Sequence, residues 1–296
     1  MKAFKSHILY LTMAFVVASI GLWATSCSNV KKNERIITVS IQPQKYLLEK
    51  IVGNKFTVMC LLAQDANPET YDPSFSHIIN LEKSEAYFRI GNIGFELAIV
   101  NKAKTNNPNL KIFDNSKGIP LIYGSHTSSN EPPHPNAVDP HIWSSVANAK
   151  IIAKNMLDAV ISLDGKNSNY YQRNYNKLLQ ELNVLDADLS KELAPVKGES
   201  FLIWHPSLSY FARDYGLKQI NLESEGKEMS PTQLEKEIVV AKKSGAKILF
   251  FQKSFDSREI ESVNSQIGAK IVSINPMNSD WEAEMRNTAD ALAKNK

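Results

Sequence analysis

Short apolar runs alternate with amphipathic segments along this chain, and the alternation occurs twice. The runs are apolar on both faces and rich in Ile, Val or Phe, which is typical of buried parallel strands. In the first half they cover residues 36–41, 56–62, 86–90 and 111–113, and in the second half residues 201–204, 218–222, 247–251 and 270–274. This alternation predicts an α/β fold in which helices flank two central parallel sheets.

The amphipathic segments between the runs carry helix start and stop signals. Ser230 offers a capping hydroxyl, Pro231 suits the first helical position, and Gln233 follows three residues after the cap. Gly268 closes a later segment, because glycine readily adopts the left-handed conformation that ends many helices. We therefore expect one helix to begin at Pro231 and another to end before Gly268.

One segment breaks the alternation. From Tyr171 to Leu193, apolar residues recur at steps of three and four, and Pro195 and Gly198 follow. The pattern predicts one long helix over residues 167–197, between an N-terminal lobe at 36–166 and a C-terminal lobe at 198–296. Because a helix is stiffer than a Gly/Ser linker, we expect the lobes to move little relative to each other.

The N-terminus has the pattern of a secretory signal peptide. Lys2 and Lys5 precede an apolar stretch over residues 8–23 that is too short for a comfortable transmembrane helix. Cys27 stands where a bacterial lipoprotein carries its lipidated cysteine, although Ala24 occupies the position of the usual Leu. We predict a signal peptide over 1–26, a lipid anchor at Cys27 and a tether over 27–35; cleavage without lipidation is the alternative.

Charge and length exclude some classes of protein. The formal net charge is +3, and removal of residues 1–26 lowers it by two because this segment contains two lysines and no acidic residue. A nearly neutral body does not favour nucleic-acid binding. The rest of the 296-residue chain exceeds what one hydrophobic core usually organises, so two domains are expected.

Polar side chains of metal-binding type follow several predicted strands. Parallel α/β sheets bind their ligands at the carboxyl ends of the strands. These positions are Asp65 and Glu69 after residues 56–62, His205 after 201–204, Gln252 after 247–251 and Asn275 after 270–274, while Asp139 and His141 directly precede a predicted helix. Together they could face one cleft.

Each of these residues alone is weak evidence for a site, because a single histidine is usually a hydrogen-bonded polar residue. His77 falls within a helical pattern and is interpreted as a surface or partly buried residue without a metal role. His126 and His134 lie in a Ser/Pro-rich loop, where solvation is the simplest explanation. Cys60 lies in an apolar run and is interpreted as a small buried hydrophobic residue.

Four short motifs occur in a characteristic order. They are Val39-Ser40-Ile41-Gln42-Pro43, Asn67-Pro68-Glu69-Thr70-Tyr71-Asp72-Pro73, Asp139-Pro140-His141-Ile142-Trp143 and Phe201-Leu202-Ile203-Trp204-His205. From about Ile36 to its end, the chain resembles the zinc/manganese substrate-binding proteins of metal-specific ABC transporters, the ZnuA-like and TroA-like cluster 9 family. The resemblance implies two lobes joined by one rigid helix, a divalent metal in the cleft between them, and delivery to a membrane ABC permease.

The same resemblance implies a ligand set with substitutions. His141 and His205 match family ligands, whereas Glu69 replaces a histidine and Asn275 replaces a frequent aspartate. Gln252 stands where an acid often occurs; with Asp139 and Asp65 it is a candidate for supporting or replacing a ligand, and water could fill the fourth position. Two histidines and a carboxylate suit Zn²⁺, and mixed nitrogen and oxygen ligands also accept Mn²⁺ or Fe²⁺.

We therefore expect a non-enzymatic, monomeric solute-binding protein, periplasmic or at the cell surface, that contacts a membrane only through its anchor. A zinc-dependent hydrolase is one alternative, because two histidines and a glutamate with an open position also describe catalytic zinc. Its general base would come from Glu223, Glu225 or Glu228. A family-fold lipoprotein with a degenerate site, acting in adhesion or as a scaffold, is the other. A metal-scavenging role for the segment from His126 to His134 is a further hypothesis.

Overall fold

The computed structural model describes residues 34–64, 66–123, 138–223, 230–253, 255 and 257–294. The predictions that concern Cys27, Asp65, His126, His134, Glu225 and Glu228 lie outside the described residues. Within the described ranges, no helix combines the length and the apolar character needed to cross a membrane.

Two parallel four-stranded sheets organise the described residues. The strands are β1 (Ile36–Val39), β2 (Thr57–Cys60), β3 (Ala86–Arg89), β4 (Lys111–Asp114), β5 (Ser200–Ile203), β6 (Lys218–Asn221), β7 (Ile248–Gln252) and β8 (Lys270–Ile274). All eight overlap the predicted runs, and every pairing between them is parallel. The prediction of an α/β fold with two parallel sheets is confirmed.

The two sheets are wound in the same way. Their strand orders are β2-β1-β3-β4 and β6-β5-β7-β8. In each sheet the chain passes from the first strand to a neighbour on one side, from β1 to β2 and from β5 to β6. It then crosses to the other side of the first strand, to β3 and to β7. The direction of winding therefore changes between β1 and β3 and between β5 and β7, and such points create a crevice at the carboxyl ends of the strands.

Helices cover the faces of both sheets. They are α1 (Gln42–Val52), α2 (Phe75–Glu82), α3 (Gly94–Asn106), α4 (Val146–Leu163), α5 (Ser168–Leu193), α6 (Ser209–Tyr215), α7 (Pro231–Ser244), α8 (Ser257–Ile267) and α9 (Trp281–Ala293). The predicted start at Pro231 is confirmed, since the Ser230 N–H donates to Gln233 Oε1 over 3.1 Å and the Gln233 N–H donates to Ser230 Oγ over 3.4 Å. The predicted end before Gly268 is confirmed as well.

The long helix α5 connects the two halves, as predicted. It has 26 residues and is therefore roughly 39 Å long. It is shorter than the predicted segment 167–197, because the chain continues from Leu193 into a 3-10 turn at Ala194–Val196 that contains Pro195, which has no N–H to donate. Its buried stripe consists of Tyr171, Tyr175, Leu178, Leu182, Leu185, Leu189 and Leu193.

A continuous apolar core joins both halves through this stripe. Helix α5 packs against α1 and α4 on one side and against α9 on the other. In β5, Phe201 and Ile203 face this shared core, whereas Leu202 and Trp204 face a second cluster beneath α7 and α8. The alternation of the strand thus fills two cores, and the shared one holds the sheets in a defined arrangement.

Candidate metal centre

His205 lies directly beyond the carboxyl end of β5, beside one of the two crevices. The strand ends at Ile203, and the chain turns after Trp204, where the Ser207 N–H donates to the His205 carbonyl over 2.8 Å. The imidazole stacks on Phe255 with 5.8 Å between ring centroids and is only 2 % exposed. The side chain is thus packed on one face and buried.

His141 lies on the loop that precedes α4, and this loop is held by its own residues. The His141 N–H donates to Asp139 Oδ1 over 2.9 Å, and Asn148 of α4 donates through its side chain to the Ile142 carbonyl over 3.0 Å. His141 is 2 % exposed and packs against Trp143, with 5.1 Å between ring centroids. The loop therefore presents the imidazole in one orientation.

The His141 loop is also bonded to the C-terminal half of the chain. Trp143 Nε1 donates to the Pro276 carbonyl over 3.0 Å, and Trp281 Nε1 donates to the Trp143 carbonyl over 2.8 Å. The Tyr210 hydroxyl donates to the Asp139 carbonyl over 2.9 Å. The loop that carries His141 is therefore bonded both to α4 of the N-terminal half and to the half that contains His205.

Glu69 approaches from the other side of the cleft. It belongs to the loop after β2, which we call the Glu69 loop and define as residues 66–74. The Glu69 N–H donates to Asn67 Oδ1 over 2.8 Å, which bends the backbone locally. The Glu69 side chain is 18 % exposed and is thus the most accessible of the three.

The three side chains converge on one point. His141 Nε2 and His205 Nε2 are 3.3 Å apart. Glu69 Oε1 lies 3.8 Å from His141 Nε2, and Glu69 Oε2 lies 3.6 Å from His205 Nε2. One donor atom from each residue thus lies within 4.8 Å of the others, close enough to share one metal ion.

Two buried carboxylates orient the imidazoles. Asp139 Oδ1 lies 3.0 Å from His141 Nδ1, and Glu223 Oε2 lies 2.9 Å from His205 Nδ1. Asp139 is fully buried, and Glu223 is 6 % exposed. An ionised carboxylate only accepts hydrogen bonds, so in the neutral imidazoles Nδ1 carries the proton and the Nε2 lone pairs face each other.

Such an arrangement favours a cation at its centre. The two Nε2 atoms and the Glu69 carboxylate are then all hydrogen-bond acceptors, so none of them can donate to the others. Two nitrogens that bind one tetrahedral metal at about 2.05 Å lie roughly 3.3 Å apart. The separation of 3.3 Å between the two imidazole nitrogens matches this distance, and the separations of 3.6 and 3.8 Å from these nitrogens to the Glu69 oxygens are somewhat longer.

Asn275 and Gln252 line a cleft of about 650 Å³ together with Gln64, Ala66 and Glu284. The Asn275 side-chain carbonyl accepts from the Met277 N–H over 3.0 Å, and its backbone N–H donates to Glu284 Oε1 over 2.7 Å. Burial raises the pKa of the Glu284 carboxyl, although the hydrogen bonds from the Asn275 N–H and the Asn278 side chain oppose the shift. The structure places Asn275 and Gln252 on the same cleft.

The Gln252 side chain donates to Ser207 Oγ over 3.2 Å, which places it beside the His205 turn. Cys60 is half-buried at the end of β2, and burial raises the pKa of its thiol to about 12. It is therefore protonated at neutral pH, and a protonated thiol is a poor metal ligand.

The role of Glu223 is visible only in the structure. The sequence indicates this acid only as one of three candidate bases, although it stands just beyond β6. The register pairs Ile203 of β5 with Asn221 of β6, and two residues further on His205 and Glu223 come side by side. Once β6 is known to lie beside β5, a search for acidic residues two positions beyond the end of β6 would find Glu223.

Comparisons with known proteins identify the family of the chain. A family model described as "Zinc-uptake complex component A periplasmic" (ZnuA) matches residues 37–295. The high-affinity zinc uptake system protein ZnuA of Bacillus subtilis (strain 168) is 26% identical over 296 aligned residues, covering 95% of this chain and 89% of that protein.

Solved structures share the fold. A crystal structure of ZnuA is 34% identical and superposes with a TM-score of 0.81, covering 88% of this chain and 99% of that one. A zinc-bound deletion mutant of ZnuA gives the same identity of 34% and TM-score of 0.81. FpvC of Pseudomonas aeruginosa in complex with Mn²⁺ is 22% identical with a TM-score of 0.76, covers 88% of this chain and 97% of its own, and shares the fold.

Proposed function

Because this chain belongs to the ZnuA family of periplasmic zinc-uptake components, we propose that it captures a zinc ion between Glu69, His141 and His205 and delivers it to a membrane ABC permease. The metal is then the cargo of the protein. Capture at this centre would bring together the two halves of the cleft, since Glu69 comes from one side and both imidazoles come from the other.

The observation that carries the proposal is the convergence of two Nε2 lone pairs and a carboxylate. The imidazole nitrogens are 3.3 Å apart, which suits a tetrahedral ion. The description of the family as a zinc-uptake component supports Zn²⁺ as the cargo, and the same nitrogen and oxygen donors also bind Mn²⁺ or Fe²⁺.

We propose that the fourth ligand comes from the C-terminal side of the cleft. Asn275, Gln252 and a water molecule that they hold are the three candidates. Both amide side chains line the cleft of about 650 Å³, which among the described residues is lined by none of the three proposed ligands, and Gln252 reaches Ser207 beside the His205 turn. Both amides are neutral, so the centre would carry one anionic ligand, Glu69. A centre with one anionic ligand should release its metal more easily than a centre with two.

The geometry supports a binding protein over a hydrolase. A zinc hydrolase needs a base that can take a proton from the metal-bound water. Glu223, one of the acids considered for this role, is engaged with His205 Nδ1 at 2.9 Å. We therefore propose that it orients a ligand and that the protein carries out no reaction.

We propose that the protein acts outside the cytoplasm as a monomer. The family description is periplasmic, and the N-terminal pattern of residues 1–26 supports export. Lipidation at Cys27 would attach the protein to a membrane close to the permease that receives the metal.

Metal content and affinity test the proposal. After equilibration with zinc, cobalt, iron and manganese and removal of free metal, we expect elemental analysis to find about one zinc per chain. His141→Ala should abolish this stoichiometry, and Gln172→Ala on the exposed face of α5 serves as the control. A wild-type protein that retains no metal from this mixture would contradict metal capture.

A further inference from the structure

The Glu69 loop differs from the other parts of the centre in how it is held. Each imidazole has a buried carboxylate at Nδ1, whereas the Glu69 carboxylate faces the two imidazoles at 3.6 and 3.8 Å. Its backbone N–H is bonded within the loop, to Asn67. A separate contact must therefore determine how far this loop reaches into the cleft.

Tyr71 makes such a contact two residues beyond Glu69. Its hydroxyl lies 2.5 Å from His77 Nδ1, and its ring meets the ring of Phe95 edge-on at 5.2 Å between centroids. Two residues of chain span at most about 7 Å, so a fixed Tyr71 limits the positions that the Glu69 backbone can adopt.

The direction of the hydrogen bond follows from the neighbours of His77. The Ser74 N–H lies 3.3 Å from His77 Nδ1 and can only donate, so this nitrogen is an acceptor. The Tyr71 hydroxyl is therefore the donor.

His77 is in turn fixed by α2. It occupies the first turn of that helix, where Ser74 is the capping residue. Helix α2 packs against α3, which also provides Phe95. The Tyr71 ring is thus held between two helices of the N-terminal half, and the Glu69 loop is attached to them at this point.

We propose that Tyr71 and His77 are positioning residues that hold the Glu69 loop so that its carboxylate reaches the two imidazoles. This inference rests on the proposed function, in which Glu69 is a metal ligand. It assigns to His77 a role in metal binding that the sequence pattern did not indicate, since His77 there is an ordinary helix residue.

A role in helix capping alone is the competing explanation. The Ser74 hydroxyl also contacts His77 Nδ1, at 2.9 Å, so replacement of His77 could act only through the start of α2. Ser74→Ala removes this contact and leaves the Tyr71 hydroxyl bond intact. It is therefore the matched control for the capping contribution.

The test measures zinc affinity by competition with a chromophoric chelator in Tyr71→Phe, His77→Leu, His77→Asn and Ser74→Ala variants of the full chain. Loss of one net hydrogen bond predicts about three- to tenfold weaker binding in Tyr71→Phe and in His77→Leu. The double variant Tyr71→Phe/His77→Leu should bind zinc no more weakly than either single variant, because both substitutions remove the same hydrogen bond. His77→Asn keeps an acceptor near Nδ1 and should restore most of the affinity.

Cobalt spectroscopy adds a readout that a purely structural role would not change. With Co²⁺ in the centre, Tyr71→Phe should alter the visible bands, because the carboxylate is displaced while both imidazoles remain. Thermal unfolding of the metal-free variants shows whether they fold. Unchanged affinity and unchanged bands in folded Tyr71→Phe would overturn the inference, as would an equal loss in Ser74→Ala and His77→Leu with no loss in Tyr71→Phe.

The two proposals fail in different ways. If the wild type binds one zinc and His141→Ala does not, the metal centre stands, and a silent Tyr71→Phe then removes only the positioning role. If the wild type binds no zinc, the proposed function fails and the positioning role fails with it.

Discussion

The two histidines and Glu69 meet at one centre, but they are supported in opposite ways. The imidazoles are each 2 % exposed, and each is oriented by a buried carboxylate. Glu69 is 18 % exposed and lies on a loop that is anchored through Tyr71. The comparison predicts a preformed half, made by the two imidazoles, and a more adjustable half, made by the Glu69 loop.

The division does not follow the order of the sequence. His141 precedes α5, yet its loop is bonded to Pro276, Trp281 and Tyr210 of the C-terminal half. The His141 loop is therefore supported from both halves, since Asn148 of α4 also donates to the Ile142 carbonyl, whereas Glu69 is carried by a separate loop.

Removal of an imidazole tests the preformed half most severely. We expect His205→Ala to weaken zinc binding by more than about 100-fold, because even residues behind a ligand contribute 10- to 100-fold. Titration calorimetry against Gln172→Ala measures the difference. A loss no larger than that of Glu69→Gln would break the comparison, since it would make the exposed ligand equal to the buried one.

Removal of the charge behind His205 isolates the contribution of orientation. Glu223→Gln keeps the size of the side chain but loses the ionised acceptor of the Nδ1 proton, and zinc affinity should fall by about 10- to 100-fold. The exposed Glu235→Gln is the matched control. Affinity within twofold of the wild type would show that packing against Phe255 alone orients the imidazole.

Metal binding should order the two sides unequally. Hydrogen exchange with and without zinc should show the largest gain in protection in residues 66–74, about tenfold, because the metal adds a bond to Glu69 beyond the Tyr71 anchor of this loop. Residues 139–144 and 204–207 should gain less, since the imidazoles already have buried partners. Equal gains on both sides would contradict the difference between the two halves.

A last expected effect, on stability and not on metal binding, concerns a buried carboxyl in the Glu69 half that faces no imidazole. Glu96 bonds to the Ser40 hydroxyl and to the N–H groups of Ile90 and Gly91. Burial raises its pKa from 4.5 to about 7, against these hydrogen bonds. The folded state therefore binds this proton more tightly than the unfolded state does.

The stability of the protein should therefore fall as the pH rises. The contribution of Glu96 to stability is fully present below about pH 4.5 and is lost as the pH rises to about 7. Within this window we expect the free energy of unfolding to fall by about 1 kcal/mol per pH unit relative to Glu96→Gln. Urea unfolding of the metal-free proteins between these pH values measures it, and parallel curves for the two proteins would contradict the prediction.

Most of the fold could be predicted because its signals are local. The eight strands coincide with short apolar runs, α5 with a regular apolar stripe, and the start of α7 with the Ser230 cap. Such patterns reflect which face of each element is buried, and this depends on neighbours a few residues away. Element ends were less well predicted, as the 3-10 turn after Leu193 shows.

The candidate ligands could be predicted from strand ends and from the family resemblance, but not their surroundings. The partner of His205 depends on β6 lying beside β5 in the register that aligns Ile203 with Asn221. Similarly, nothing local connects Trp143 with Pro276, which lies 133 residues further along the chain. Residues of these types could form hydrogen bonds with many partners, and only the packed chain selects one.

By itself, then, the sequence determined the two α/β halves, the helix between them and the identity of His141, His205 and Glu69 as candidate ligands. Only the tertiary structure decided that the two imidazoles face each other at 3.3 Å, that Glu223 supports one of them, and that Glu69 reaches both from a separate loop. The physical reason is range: periodic burial is encoded by residues within a few positions of each other, whereas a metal centre depends on distances between loops that are far apart in the chain and are fixed only by the packing of the whole core.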